Sequence, residues 1–202
     1  MRHIFYSFLT CFFLFCFLSA LIFTSCTSTP VQTEVTPCSR ELLGSGIKSS
    51  VQLQNFFFAH NSDIPLSKIS LMAGLYIEEA AAEGINSDVA FVQMCLETGF
   101  LTFGNLVVPE MNNFCGLGAM DAEHPGEYFK DERTGVRAHI QHLQAYATTE
   151  EVSLNQPLVD PRYSWPHKVK FAVTVHDLAG NWATDPEYGV KLDGLLEELA
   201  LY

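Results

Sequence analysis

Hydrophobic positions recur along this chain at several rhythms, and each rhythm predicts a different kind of segment. Residues 4–23 are almost wholly Phe, Leu, Ile and Cys after a short polar start at Arg2 and His3. A run of that length suits an export signal or a membrane anchor and stands outside the fold. Residues 27–50 are rich in Ser, Thr, Pro and Gly and predict a mobile tether. The run "NFFFAH" within residues 51–61 is expected to pack against the domain that follows.

Beyond it the period turns helical. Ser67 reads as an N-cap, Ile69, Met72, Ala73, Tyr76, Ile77 and Ala80 share a face, and Gly84 stops the run. Asn86 or Ser87 caps a second helix striped by Val89, Val92, Cys95 and Leu96, ending near Thr98 and Gly99. Residues 100–131 lose the period and read as loops with a small hairpin. Thr134 starts a third helix, with Val136, Ile140, Leu143 and Tyr146 or Ala147 facing inward. "NQPLVDPRYSWP" is a turn-rich connection, and residues 173–182 are expected to form a short helix. Asp185 and Pro186 open the last helix, where a missing N–H costs nothing; Leu192, Leu195, Leu196 and Leu199 are its apolar stripe. The pattern predicts one mainly α domain, residues 51–202, with an irregular middle.

Composition narrows the chemistry. Eleven Lys and Arg face 23 Asp and Glu, a net charge of −12, and losing Arg2 with a signal takes −12 to −13. Without a basic patch, nucleic acid is not an expected partner. Of six Cys, Cys11 and Cys16 fall in the apolar run and Cys26 just after it. Cys38, Cys95 and Cys115 remain, an odd count that allows one disulfide and a free thiol, with Cys95 and Cys115 expected near each other. There is no Cys-x-x-Cys. His139 and His142 lack a completing acid or Cys motif, so they read as surface or satisfied histidines, and no metal or cofactor is expected. Glu78, Glu79 and Glu83 read as a solvated helix face.

The one acid in "MCLETGFLTFGN" is Glu97. It is either an ordinary charge at a helix edge or a proton donor. Gln93 lies one turn before it and can reach the carboxyl group. The helix C-terminus and the nearby Phe100 and Phe103 would raise its pKa, as a general acid near neutral pH requires. "NNFCGLGA" sets Asn112, Asn113 and Phe114 in a Gly-flanked loop, either a turn or an amide-and-ring set suited to an N-acetyl sugar. In "GNWATDPEYGVKL", Trp182 and Tyr188 line a groove or belong to the core.

Taken in order, "AFVQMCLETGFLTFGN", "NNFCGLGA", "GVRAHIQHLQAYA" and "WATDPEYGVKL" resemble the glucosaminidase domain of bacterial cell-wall hydrolases, the endo-β-N-acetylglucosaminidase family, from about Leu66 to the C-terminus. The resemblance implies a mainly α, lysozyme-like (α+β) fold, with a helical lobe and a small irregular or β lobe bordering a glycan cleft. It implies that Glu97 is the general acid and that Asn112, Asn113 and Phe114 lie beside the cleft. Trp182 stands where many members carry Tyr, which leaves stacking and one N–H donor in place of a phenol.

The partner carboxylate of an ordinary glycosidase is sought among Asp121, Glu123, Glu127 and Asp131, with Asp121 favoured; otherwise the substrate's acetamido group serves. Gln93, Phe100, Asn112, Asn113, Phe114, Trp182 and Tyr188 are the expected substrate contacts. Phe23-Thr24-Ser25-Cys26 resembles a bacterial lipobox, which implies lipidation at Cys26 and anchoring to the cell membrane on its periplasmic or outer face.

The expected protein is thus an exported, lipid-anchored monomeric hydrolase acting at N-acetylglucosamine in peptidoglycan. The rivals are a glycan-binding lipoprotein without turnover and a cell-wall amidase.

Overall fold

The computed structural model describes residues 35–149, 153–169 and 171–202. Six helices are described: α1 (Ser50–His60), α2 (Leu66–Glu83), α3 (Ser87–Thr98), α4 (Glu132–Ala147), α5 (Ser164–Val169) and α6 (Tyr188–Ala200). Two 3-10 turns, Pro109–Met111 and Val175–Leu178, and three isolated β-bridges complete the assigned structure. The protein is mainly α, as the apolar periods predict. Among the described residues no helix is long and apolar enough to cross a membrane. The apolar run and Cys26 lie outside the described residues.

α3 is the central helix, buried on nearly every side from Ser87 to Cys95. It packs against α2 and α6, with α1 and α4 closing the remaining flanks. Its start is fixed by Asn86, whose side chain accepts from the Asp88 and Val89 amides. The predicted stripes of α2, α4 and α6 face this core, with Tyr76, Val136, Ile140, Leu192 and Leu196 sealed. Gly84 and Gly99 end α2 and α3 in the left-handed conformation.

α4 starts two residues earlier than the sequence suggests, because Asp131 accepts from the Thr134 amide and takes the N-cap role. The helix expected over residues 173–182 is a 3-10 turn, and α5 begins within the last residues of the turn-rich connection. Within residues 100–131 the hairpin pairs through Glu127 N–H to Leu117 C=O (2.8 Å) and Met120 N–H to His124 C=O (2.9 Å), with no strand assigned.

The tether is the main departure. From Val35 onward the segment lies against the domain, with Cys38 and Leu42 buried. Leu42 donates to the Val173 carbonyl and its own carbonyl accepts from Asn86, both at 2.9 Å. The buried Asp88 carboxylate accepts from the Ile47 and Lys48 amides at 2.9 and 3.2 Å. Two apolar residues are too few to show a period, but they fill a gap in the core. Glu79 and Glu83 also depart from expectation: both are buried. Burial pushes the Glu79 carboxyl up, and the Arg137 and Arg133 guanidiniums at 2.8 Å bring it below its usual range, clamping α2 to α4. Glu83 accepts from the Asn155 and Gln156 amides. Cys38, Cys95 and Cys115 are all free thiols.

Leu42 is fully buried outside every helix. Leu42→Ala is expected to cost about 2–5 kcal/mol, the usual range for emptying such a site. Thermal or urea unfolding checks this; an unchanged midpoint would mean that residues 35–49 detach in solution.

Candidate active site

The C-terminal end of α3 builds the site. Immediately after Gly99, three bulky residues adopt positive φ: Phe100 (53°), Leu101 (59°) and Phe103 (57°). Each left-handed residue costs about 1–2 kcal/mol, so the turn must be held from outside. Phe100 N–H reaches the Cys95 carbonyl and Phe103 N–H the Thr98 carbonyl, both at 2.7 Å. Thr98 Oγ1 donates to Met94 C=O and accepts from Leu101 N–H. Asn61 Nδ2 donates to Phe100 C=O at 2.9 Å. The turn brings Phe103 into the wall of a cavity of about 290 Å³ that also includes Glu97, Asn105, Leu106, Val107, Asn113, Cys115, Gly116, Ala119 and Trp182.

Glu97 is partly buried in that wall. Its Oε1 accepts from Trp182 Nε1–H at 2.9 Å and from the Tyr188 hydroxyl. Both donors serve one oxygen, so a proton on Glu97 belongs on Oε2. That oxygen faces Gly116, where an added Cβ would stand 3.7 Å away. Burial raises the Glu97 pKa above its ordinary value, and the hydrogen bonds from Tyr188 and then Trp182 work against the rise.

Behind Tyr188 runs a buried chain of polar groups. Gln93 Nε2 donates to Tyr188 Oη at 2.9 Å. Gln93 Oε1 must then accept, so His139 Nε2 carries the hydrogen across 3.0 Å. His139 Nδ1 in turn accepts from the Tyr76 hydroxyl at 2.8 Å. Every donor points toward Glu97. His139 is fully enclosed, and burial followed by its neighbour His142 lowers its pKa from 6.5 to about 3. It is neutral at physiological pH, as the chain requires. Burial, and then the charge of Glu97, raises Tyr188 well above the usual phenol range.

The expected contacts divide. Glu97 and Trp182 line the cavity, and Tyr188 touches it through Glu97. Gln93 is fully buried and reaches Glu97 only through the Tyr188 hydroxyl, so it positions rather than touches a ligand. Asn113 lines the cavity, but its amide is spent on the Leu117 and Glu127 backbone. Asn112 donates to Phe129 C=O and ends a 3-10 turn. Phe114 is a core residue, 1% exposed. The loop holding it lies on α4 at Gly135, where a Cβ would sit 1.8 Å from Asn112 O, so only glycine permits the approach. Phe100 faces away from the cavity and stacks on His60, centroids 4.2 Å apart.

Asp121 is exposed and caps its own turn, accepting from the Glu123 and His124 amides and from His124 Nδ1. Neither it nor Glu123, Glu127 or Asp131 lines the cavity; among the described residues Glu97 is the one carboxylate there. No cluster of potential metal ligands occurs among the described residues. Sequence reasoning missed Tyr76 and His139 as parts of the site, and only their placement on the inward faces of α2 and α4 hinted at them.

A second cavity, of about 240 Å³, adjoins the first. They share Cys115, Gly116, Ala119 and Trp182, and the second adds His142, Tyr146, Arg162 and Trp165.

A helical body that partly buries one carboxylate in a cavity wall and aims two donors at it has the makings of a site for acid–base chemistry. The family model for glucosaminidase, described as mannosyl-glycoprotein endo-beta-N-acetylglucosaminidase, matches residues 73–201, and the chain belongs to this family of glycoside hydrolases. An uncharacterized protein of Borreliella burgdorferi is 37% identical over 161 residues, 80% of this chain and 78% of its own.

Two outcomes follow from the electrostatics. Tyr188 stabilises the ionised form of Glu97, so Tyr188→Phe should raise the Glu97 pKa further, read by carbon NMR of the labelled carboxyl group; a lowered or unchanged titration would refute the assigned hydrogen bond. His139 has a folded-state pKa below its unfolded one. Its contribution to stability is therefore present above about pH 6.5 and is lost as pH falls toward 3. Urea unfolding at pH 7 and pH 4 should show a larger loss for wild type than for His139→Asn, and equal losses would count against a buried neutral imidazole.

Proposed function

We propose that this protein is an exported, membrane-tethered glycoside hydrolase that cuts β-1,4 links at N-acetylglucosamine in peptidoglycan, with Glu97 as its general acid. One observation carries the reading: the cavity's single described carboxylate is held by Trp182 and Tyr188 through Oε1, leaving Oε2 for the proton. Burial raises the Glu97 pKa, the direction a general acid requires. The lysozyme-like, two-lobed reading is supported by the helical body on one side of the cavity and the irregular segment after α3 on the other. Export and anchoring are supported by the apolar run over residues 4–23 with Cys26 just after it.

Among the described residues no second acid lines the cavity, which favours assistance by the substrate. Glu97 Oε2–H gives its proton to the glycosidic oxygen as the bond from C1 to that oxygen breaks. The acetamido carbonyl oxygen of the same sugar forms a bond to C1, giving an oxazolinium ion. Glu97, now a carboxylate, takes a proton from water as the water oxygen attacks C1 and opens that ring. The product keeps the β configuration, and the protein works as a monomer without a cofactor.

The test is release of new reducing ends from purified peptidoglycan by protein beginning at Val35, beside Glu97→Gln. The variant should lose about 10²–10⁴ in rate, the usual worth of a general acid, while still binding glycan. Proton NMR should show the β anomer first. A fully active variant removes Glu97 from the role, and an α product removes the acetamido route. Wild type that binds glycan without cutting it would make the protein a glycan-binding lipoprotein.

A further inference from the structure

The second cavity lies across Trp182 from Glu97, and its polar groups are not used by the chemistry above. The segment that leads to Arg162 is tightly held. Gln141 Oε1 accepts from the Val159 and Asp160 amides at 2.9 and 3.2 Å. His142 Nδ1 meets Asp160 Oδ2 at 2.8 Å, and Asp160 Oδ1 accepts from the Arg162 amide at 2.8 Å. The Asp160 carboxylate is 2% exposed and fully occupied by these partners, so it does not face a ligand. The backbone that bears Arg162 is therefore fixed, while its side chain is exposed at the cavity.

The charge of Arg162 stands out in this chain. Acids outnumber Lys and Arg by 23 to 11, and among the described residues Arg40, Arg133 and Arg137 each grip a carboxylate. Arg162 makes no ion pair among the described residues, and its hydrogen bonds there run through its backbone, the amide to Asp160 and the carbonyl from the Trp165 amide at 3.1 Å. An arginine left open beside an exposed indole, Trp165 (54% exposed), offers a planar fork of donors for a carboxylate and a flat face for a sugar. Trp182 and Gly116 line both this cavity and the one holding Glu97, so the two adjoin.

We infer that the second cavity is a recognition site for a carboxylate borne on a substituent of the sugar next to the bond that is cut, with Arg162 as its cation. The inference rests on the hydrolase reading above and deepens it: the preferred substrate is a branched, anionic glycan rather than a neutral one. The carboxylate has two possible sources, a free lactyl ether acid or a peptide attached to it.

The test compares wild type with Arg162→Gln on three soluble substrates: peptide-bearing glycan fragments, the same strands stripped by an amidase to leave the lactyl acid, and neutral N-acetylglucosamine oligomers. Arg162→Gln should lower kcat/KM by about tenfold or more on at least one anionic substrate, mainly through KM, as loss of a charge-assisted bond would. Neutral oligomers should be cut as before. Loss on the stripped strands assigns the lactyl acid, and loss confined to the branched ones assigns the peptide. Equal loss on all three, or none on any, overturns the inference. If wild type cuts none of them, the hydrolase reading fails by itself. Calorimetric binding of the same fragments then decides on Arg162: weaker binding of the anionic ones by the variant supports the site, and unchanged binding refutes it.

Discussion

The site depends on one constraint: a carboxylate withdrawn from water must be matched by donors that are themselves withdrawn. Glu97 meets this through Trp182 and Tyr188, and Tyr188 meets it only because Gln93, His139 and Tyr76 stand behind it. A buried polar chain is worse than an apolar core unless every member is satisfied. Here each link has one donor and one acceptor, and the sequence of bonds has a single direction. It also ties α2, α4, α3 and α6 together at their shared interior, so the polar network that positions the acid also specifies how the helices meet.

The neutral His139 makes that direction possible. A protonated imidazole would donate from both nitrogens and leave the Tyr76 hydroxyl without its acceptor. Burial prevents this by lowering the pKa to about 3. The same desolvation acts in the opposite sense on Glu97, because it disfavours whichever form is charged. One low-dielectric interior thus keeps the histidine unprotonated and favours the protonated carboxyl group. The left-handed turn at Phe100, Leu101 and Phe103 belongs with this arrangement: it bends the chain back over the end of α3, so that a hydrophobic wall stands beside the acid.

How much of this could be read in the sequence varies by element. The helices with wide apolar stripes were legible because burial against a core imposes the 3.6-residue period. Glu97 was legible because an acid at a glycine-ended helix among phenylalanines is chemically conspicuous. Its true partner was not. Gln93 is one turn away and on the right face, but Tyr188, far along the chain, enters between them, and local spacing carries no trace of that. Asn113 and Phe114 have side chains suited to a sugar, yet the loop that carries them uses the amide for its own backbone and the ring for the core. The packed part of the expected tether was hidden for a related reason. Extended segments bury a few residues at irregular intervals, so their composition matches that of free linkers.

Trp182 adds the last step. The indole differs from a phenol in one decisive way: it donates and cannot accept. A phenol beside Glu97 could turn its hydroxyl and receive the acid proton. The indole N–H can only stabilise the carboxylate. The Tyr188 hydroxyl is fixed as a donor to Oε1 because its acceptor side is taken by Gln93. With both neighbours restricted to donating, the proton on Glu97 has one outlet, from Oε2 past Gly116 into the cavity. A glycine at that position keeps the outlet free of side-chain atoms, and the two cavities meet there along the Gly116 and Trp182 wall. The direction of proton delivery and the meeting of the two cavities therefore follow from the same pair of residues.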